Sequence, residues 1–117
     1  MNKKIVVVED DRDILEIISQ LLQDEGYDVT SYNNGDVIDL IKNNKPDLIL
    51  CDNWLPSHRG NEICKQLKAD PDTSNIPFIL ISTSMHLADI AHACGADSYM
   101  QKPFNIKEVT SIVKSYL

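Results

Sequence analysis

An aspartate stands directly after a short apolar run near the middle of the chain. The run is Leu48-Ile49-Leu50-Cys51; it follows Pro46-Asp47 and ends in Asp52. An apolar run this short is typical of a strand that is covered on both faces. In open parallel sheets, ligands bind in the crevice at the carboxyl ends of the strands. The pattern therefore places the carboxylate of Asp52 at the ligand-binding edge of a sheet.

Other reactive side chains follow the other apolar runs. Glu9 and Asp10 come after the first run, Ser82 after the fourth and Lys102 after the fifth. Because parallel strands share one carboxyl edge, we expect these side chains to gather around Asp52. Carboxylates at close range repel one another, and a cation that prefers oxygen ligands, such as Mg²⁺, relieves the repulsion. A lysine and a serine beside such an aspartate equip it to accept a phosphoryl group.

The apolar runs alternate with amphipathic stretches along the whole chain. In these stretches apolar residues recur at spacings of three and four, which is typical of helices. The alternation predicts an α/β fold, a doubly wound five-stranded parallel sheet with helices on both faces. The predicted strands are residues 4–8, 27–32, 46–52, 76–81 and 97–101, with the second strand near the sheet edge. The predicted helices carry the apolar stripes of residues 14–22, 37–41, 63–67, 87–94 and 106–116, the last with Asn105 as its N-cap.

Composition and charge limit the classes of partner. The net charge is −7 and no run of Lys and Arg interrupts it, which argues against direct binding of nucleic acid. The chain shows neither an apolar run of about 18 residues nor a signal-peptide core, so we expect no membrane contact and a cytoplasmic location. Cys51, Cys64 and Cys94 are widely spaced among apolar residues, which favours buried free thiols over a disulfide or a zinc site.

Five short motifs, spread over essentially the whole chain, together resemble those of one known family. They are Val8-Glu9-Asp10-Asp11, Leu48 to Asp52 with Pro56 and Gly60 after it, Ile81-Ser82, Gly95-Ala96 and Lys102-Pro103-Phe104. The chain is similar to the receiver domain of bacterial two-component response regulators. The resemblance implies a flavodoxin-like sheet with strand order 2-1-3-4-5 and a single receiver domain over residues 1–117.

The resemblance also implies a role in signal transduction. Such a domain is a phosphoprotein of a phosphorelay: it takes a phosphoryl group from a sensor histidine kinase or a histidine phosphotransfer protein. It then acts on a downstream protein target or output domain. It is not an enzyme in the usual sense, because it catalyses only the phosphorylation and dephosphorylation of its own aspartate. Both a stand-alone messenger and the receiver part of a longer regulator fit the sequence.

Roles for the acidic residues follow from the same resemblance. Asp52 would be the phosphoacceptor. Asp10, Asp52 and the main-chain carbonyl of Trp54 would ligate Mg²⁺ or Mn²⁺, and Glu9 would hold a metal-bound water. Trp54 takes a position that borders the path of hydrolytic water in the family, so we expect it to shield the phosphorylated aspartate.

The remaining site residues would act on the phosphoryl group and transmit its presence. Lys102 would pair with the phosphoryl oxygens, and Ser82 would move inward to hydrogen-bond them. Tyr99, three residues before Lys102, matches the aromatic whose rotamer follows that movement. Only 20 residues separate Ser82 from Lys102, about two fewer than is usual in the family, so we expect a short or irregular fourth helix.

Other interpretations remain open. A non-phosphorylated pseudo-receiver would act as a protein-interaction module, and His58, Arg59 and Thr83 depart from the family pattern in a way that keeps it open. A magnesium-dependent phosphatase with Asp52 as nucleophile commonly has a second aspartate two residues on, where this chain has Trp54. A flavin-binding domain of the same fold would need a Ser/Thr/Gly phosphate loop where Glu9 and its acidic neighbours stand.

Overall fold

Strands and helices alternate strictly along the chain in a computed structural model that describes residues 2–117. The strands are β1 (Lys4–Val8), β2 (Asp28–Tyr32), β3 (Leu48–Asp52), β4 (Phe78–Ser82) and β5 (Ser98–Gln101). The helices are α1 (Arg12–Asp24), α2 (Ile38–Asn44), α3 (Gly60–Ala69), α4 (Leu87–Cys94) and α5 (Ile106–Tyr116). All the predicted strands and helices are confirmed.

The strands form one parallel sheet in the order β2-β1-β3-β4-β5. Every residue of β3 and β4 is buried, as expected for apolar runs covered on both faces. The more polar β2 consists of exposed and half-buried residues and lies at the sheet edge, as predicted. The doubly wound fold and its strand order are therefore confirmed.

The sheet separates two hydrophobic cores, because successive side chains of a strand point to opposite faces. In β1, Ile5 and Val7 pack with α1 and α5, whereas Val6 and Val8 pack with α2, α3 and α4 on the other face. The second core also holds the cysteines, and the predicted free, buried thiols are confirmed at Cys51, Cys64 and Cys94.

Side-chain caps begin two of the helices. The Asp11 carboxylate accepts hydrogen bonds from the amides of Asp13 and Ile14 at the start of α1. The predicted N-cap Asn105 accepts one from the amide of Glu108 at the start of α5.

The fourth helix is short, as predicted, with eight residues. Even the longest helix, α1, has only 13 residues, and within residues 2–117 no helix has the length and apolar character needed to cross a bilayer.

A half-buried lysine near the end of α3, Lys68, joins this helix to the amino-terminal ends of β4 and β5. The Lys68 ammonium donates to the carbonyls of Ser74 and Ile76 at 3.1 and 2.8 Å and to Asp97 Oδ2 at 2.7 Å. Asp97 Oδ2 also accepts a hydrogen bond from the amide of Phe78. Lys68 therefore satisfies two carbonyls of the turn before β4 and a carboxylate of the turn before β5.

We expect Lys68→Met to lower the free energy of unfolding by about 2 kcal/mol, because it leaves these acceptors without their charged donor. Urea denaturation monitored by circular dichroism measures the loss. Lys65→Met is the matched control, since Lys65 is an exposed lysine of the same helix. Equal stability of the two variants would show that the Lys68 network contributes nothing.

Candidate functional site

The carboxyl edge of the sheet brings the predicted side chains together. Glu9 follows β1, Asp52 ends β3, and Lys102 directly follows β5. Lys102 Nζ lies 3.4 Å from Asp52 Oδ2 and 2.5 Å from Glu9 Oε1. The predicted gathering of the acids and the lysine at one edge is therefore observed.

Three carboxylates form the centre of the site. Among residues 2–117, Glu9, Asp10 and Asp52 are the one group of three metal-binding side chains with a ligand atom of each within 4.8 Å of the others. Glu9 and Asp52 are buried, whereas Asp10 is exposed. The site therefore opens to solvent beside Asp10 and closes toward the protein interior at Glu9.

The Lys102 ammonium is closer to Glu9 than to Asp52, which the sequence did not indicate. The Glu9 carboxyl is only 1% exposed. Its pKa is raised from 4.5 to about 7: burial is the main cause, the contact with Asp52 adds to it, and Lys102 opposes both. Burial by itself lowers the pKa of Lys102, but the bond to Glu9 and the charge of Asp52 outweigh burial and raise that pKa. The Lys102 ammonium thus contacts two buried carboxylates, those of Glu9 and Asp52.

A tight loop after β3 holds the backbone of Asp52. The amide of Gly60 donates to Asn53 O and the amide of Asn61 donates to Asn53 Oδ1, both at 2.9 Å. A Cβ at position 60 would overlap the carbonyl oxygen of Asp52, so only glycine fits there. The buried amide of Asn53 was not among the predicted site residues, because its role depends on loop closure. The amide of Trp54 also donates a long hydrogen bond, 3.4 Å, to Asp52 Oδ1.

Ser82 lies fully buried at the end of β4, on the same edge. Its Oγ accepts a hydrogen bond from the amide of Ser84 at 3.1 Å, which leaves the hydroxyl proton free to donate. Its carbonyl accepts from the amide of Lys102 at 2.9 Å, so the two residues are joined through the main chain. Tyr99 is 46% exposed on the edge strand β5, and its part in a switch stays a prediction.

Comparison with known proteins decides the family. The sequence profile of the response regulator receiver domain matches residues 5–114. The chain belongs to the response regulator receiver domain family. Receiver domains of this family are parts of two-component signalling systems.

Solved structures of similar fold come from several organisms. A putative response regulator from Chloroflexus aurantiacus is 27% identical, with 99% of this chain and 98% of that chain covered and a TM-score of 0.94. The receiver domain of a signal transduction histidine kinase from Syntrophus aciditrophicus is 30% identical, with 98% and 89% covered and a TM-score of 0.90. The receiver domain of a sensor histidine kinase from Pseudomonas aeruginosa is 24% identical, with 99% and 98% covered and a TM-score of 0.90.

The residues that depart from the family pattern lie on the rim of this receiver domain's site. His58 is exposed and packs closely on Gly35, in the turn after β2. A Cβ added at Gly35 would lie only 2.7 Å from the Cβ of His58. Arg59 stacks on the ring of Trp54, with 4.8 Å from its guanidinium carbon to the ring centre. Thr83 is exposed immediately after β4. The other two histidines are also on the surface, as predicted for His86 and His92.

Stability of the metal-free receiver domain should fall as the pH rises from about 4.5 to 7. Over that range Glu9 keeps its proton when the chain is folded and loses it when the chain is unfolded, so the unfolded state binds fewer protons. Because one pH unit of pKa difference corresponds to about 1.4 kcal/mol, the decrease is on the order of 3 kcal/mol at most. Urea denaturation in the presence of a chelator, at pH values from 4.5 to 8, measures it.

Glu9→Gln is the control, since an amide does not titrate. We expect the wild-type decrease between about pH 4.5 and 7 to be much smaller in this variant. Parallel curves for the two proteins would show that Glu9 does not carry a raised pKa.

Proposed function

We propose that this receiver domain accepts a phosphoryl group on Asp52 from a sensor histidine kinase or a histidine phosphotransfer protein. The observation that carries the proposal is the position of the Lys102 ammonium, 3.4 Å from the Asp52 carboxylate, beside two further carboxylates. A phosphoryl group brings about −1.5 to −2 charge to the acceptor, and this ammonium is placed to receive one of its oxygens. An oxygen of the Asp52 carboxylate can act as the nucleophile toward phosphorus.

The reaction exchanges one bond to phosphorus for another. An oxygen of the Asp52 carboxylate forms a bond to phosphorus as the phosphorus–nitrogen bond of the phosphohistidine breaks. The imidazole leaves with the electron pair and takes up a proton from solvent. Lys102 binds a phosphoryl oxygen throughout, and the free hydroxyl proton of Ser82 is available to a second one. The product is an acyl phosphate on Asp52, which water later hydrolyses.

The donor set fits Mg²⁺ or Mn²⁺. Oxygen atoms of three carboxylates lie within 4.8 Å of one another, and one ammonium does not neutralise them. Asp10, Asp52 and the main-chain carbonyl of Trp54 would hold the ion, with Glu9 bound to one of its waters. Such an ion supplies charge neutralisation for the acids and the phosphoryl oxygens. A magnesium ion is described in the active site cleft of the Pseudomonas receiver domain.

Removing Asp10 should weaken Mg²⁺ binding. We expect Asp10→Asn to raise the dissociation constant by at least about tenfold, because it replaces the exposed anionic ligand with a neutral one. Calorimetry and the fluorescence of Trp54, the chain's single tryptophan, measure the affinity. Asp28→Asn is the control, since Asp28 is an exposed aspartate at the opposite end of the sheet. Equal affinities for wild type and Asp10→Asn would contradict the proposed ligand set.

The consequence of phosphorylation is a change in the surface that a partner binds. Ser82 and Lys102 precede two separate loops, and drawing their side chains toward one phosphoryl group biases the conformations of both loops. Tyr99, exposed between these loops on β5, would change rotamer with them. The partner is a downstream protein target or an output domain. The chain's chemistry is confined to its own aspartate.

Asp52 labelling tests the proposed function. We expect a small phosphoramidate or acyl phosphate donor with Mg²⁺ to add the mass of one phosphoryl group to wild type and none to Asp52→Asn. Lys102→Met should slow labelling by about 10², because it removes the donor that stabilises the transferring charge. Intact-mass spectrometry measures both. Continuous release of phosphate without a stable adduct would indicate a phosphatase, and an unlabelled wild type would favour the pseudo-receiver.

A further inference from the structure

The turn between β2 and α2 contains the chain's single Asn-Gly pair, Asn34-Gly35. The backbone nitrogen of the residue after an asparagine can attack the side-chain carbonyl carbon of that asparagine, which leads to loss of ammonia. Glycine favours the attack because it has no Cβ beside the nitrogen and adopts the widest range of backbone conformations. The pair therefore has the covalent structure that deamidation requires.

One hydrogen bond closes the turn around the two reacting atoms. The amide of Asp36 donates to Asn34 Oδ1 at 2.9 Å. The ring that this bond closes includes both the side-chain carbonyl carbon of Asn34 and the amide nitrogen of Gly35. The side chain is thus folded back along the main chain toward the nitrogen that would attack it. Holding two reactants together in this way lowers the entropic cost of their reaction.

The Asp36 amide also lies where negative charge would develop. Attack on the carbonyl carbon moves an electron pair onto Asn34 Oδ1, and a donor already directed at that oxygen stabilises the charge. The leaving group is held only weakly, because Asn34 Nδ2 donates one long hydrogen bond, 3.4 Å, to Asn33 Oδ1. The contacts of the side chain therefore favour both the attack and the departure of ammonia.

The attacking nitrogen has no competing hydrogen bond. Among residues 2–117, the amide of Gly35 donates to no main-chain or side-chain acceptor. Gly35 is covered by His58, whereas Asn34 is exposed, so water reaches the side chain that would react. The fold thus leaves the nucleophile unpaired and the electrophile open to solvent.

The turn lies at the same edge of the sheet as Asp52. The carbonyl of Tyr32, which ends β2, accepts a hydrogen bond from the amide of Glu9 at 3.0 Å. Gly35 packs against His58 in the loop that follows β3. A carboxylate in place of the Asn34 amide would add negative charge to an edge that already carries the three acids of the site.

We propose that Asn34 is a spontaneous modification site, at which the folded turn promotes conversion of the asparagine to aspartate and isoaspartate. The inference is independent of the proposed function, because it requires no phosphorylation of Asp52.

The reaction needs only water. The Gly35 nitrogen loses its proton to solvent and bonds to the side-chain carbonyl carbon of Asn34. The bond from that carbon to Nδ2 breaks, and Nδ2 takes up a proton and leaves as ammonia, so that a five-membered succinimide remains. Water then opens the ring at one of its two carbonyls. Cleavage at the side-chain carbon yields aspartate, whereas cleavage at the main-chain carbon yields isoaspartate and lengthens the main chain by one carbon beside Gly35.

Ageing of the folded full chain at neutral pH tests the site. A tryptic fragment of residues 13–42 holds Asn33 and Asn34 and no other asparagine, so Asn33 is an internal control. Fragmentation in a mass spectrometer assigns the gain of about 1 Da that accompanies exchange of the amide for a carboxylate. We expect Asn34 to convert at least about tenfold faster than Asn33, because the turn brings its two reacting atoms together.

Two comparisons separate the turn from the local sequence. The same chain unfolded in guanidinium chloride keeps the Asn34-Gly35 pair but loses the hydrogen bond from the Asp36 amide. We expect the folded chain to convert at least as fast as the unfolded one. Asn34→Gln is the matched variant, since the longer side chain would have to close a six-membered ring. Its fragment should stay unmodified while circular dichroism shows a folded protein.

Three results would overturn the inference. The first is conversion of Asn33 as fast as that of Asn34. The second is slower conversion in the folded chain than in guanidinium chloride, which would show that the turn protects the pair. The third is the same rate of mass gain in the fragment of Asn34→Gln as in wild type, which would place the reaction at another residue.

Discussion

Three carboxylates and a single ammonium lie together at the carboxyl edge of this sheet. The repulsion among the carboxylates is the constraint on which the rest of the site depends. At 4 Å and an effective dielectric constant of about 20, two unit charges interact with about 4 kcal/mol, so Lys102 alone cannot balance Glu9, Asp10 and Asp52 together. The chain meets this imbalance in two ways: burial raises the pKa of Glu9, and Asp10 stays exposed to solvent. A bound divalent cation would be a third. The three acids could therefore take up a proton at Glu9 or hold a divalent cation.

Rigid elements keep these charges together despite their repulsion. Asp52 is the last residue of a strand in which all five residues are buried, and its carbonyl is packed against Gly60. Asn53 closes the loop that follows with both its carbonyl and its side-chain oxygen. Moving the backbone of Asp52 away from the other acids would have to break this packing. The hydrophobic cores on both faces of the sheet thus stabilise an arrangement of charges that is unfavourable by itself.

The topology of the sheet could be predicted from the sequence because it depends on local patterns of apolar residues. Most of the site follows from that topology. Buried runs such as Phe78–Ser82 specify parallel strands, and parallel strands bring Lys102 to the edge that holds Asp52. The closer approach of Lys102 to Glu9 could not be predicted, since it depends on how three loops orient two long side chains. The acceptors of Lys68 are partly main-chain carbonyls, which have no sequence signature. The contact between Trp54 and Arg59 likewise requires the closed loop.

Hydrogen bonding around Ser84 determines which movement near the site costs least. The main chains of Ser82 and Lys102 are joined in the sheet, so neither can shift alone. Beyond them, the Ser84 amide donates to Ser82 Oγ, and the Ser84 carbonyl accepts from Gln101 Nε2 and from the amide of Leu87, both at 3.3 Å. These bonds are long, and within the described residues α4 begins without a side-chain cap. A reoriented Ser82 hydroxyl would therefore disturb the first turn of α4 before it disturbed the sheet.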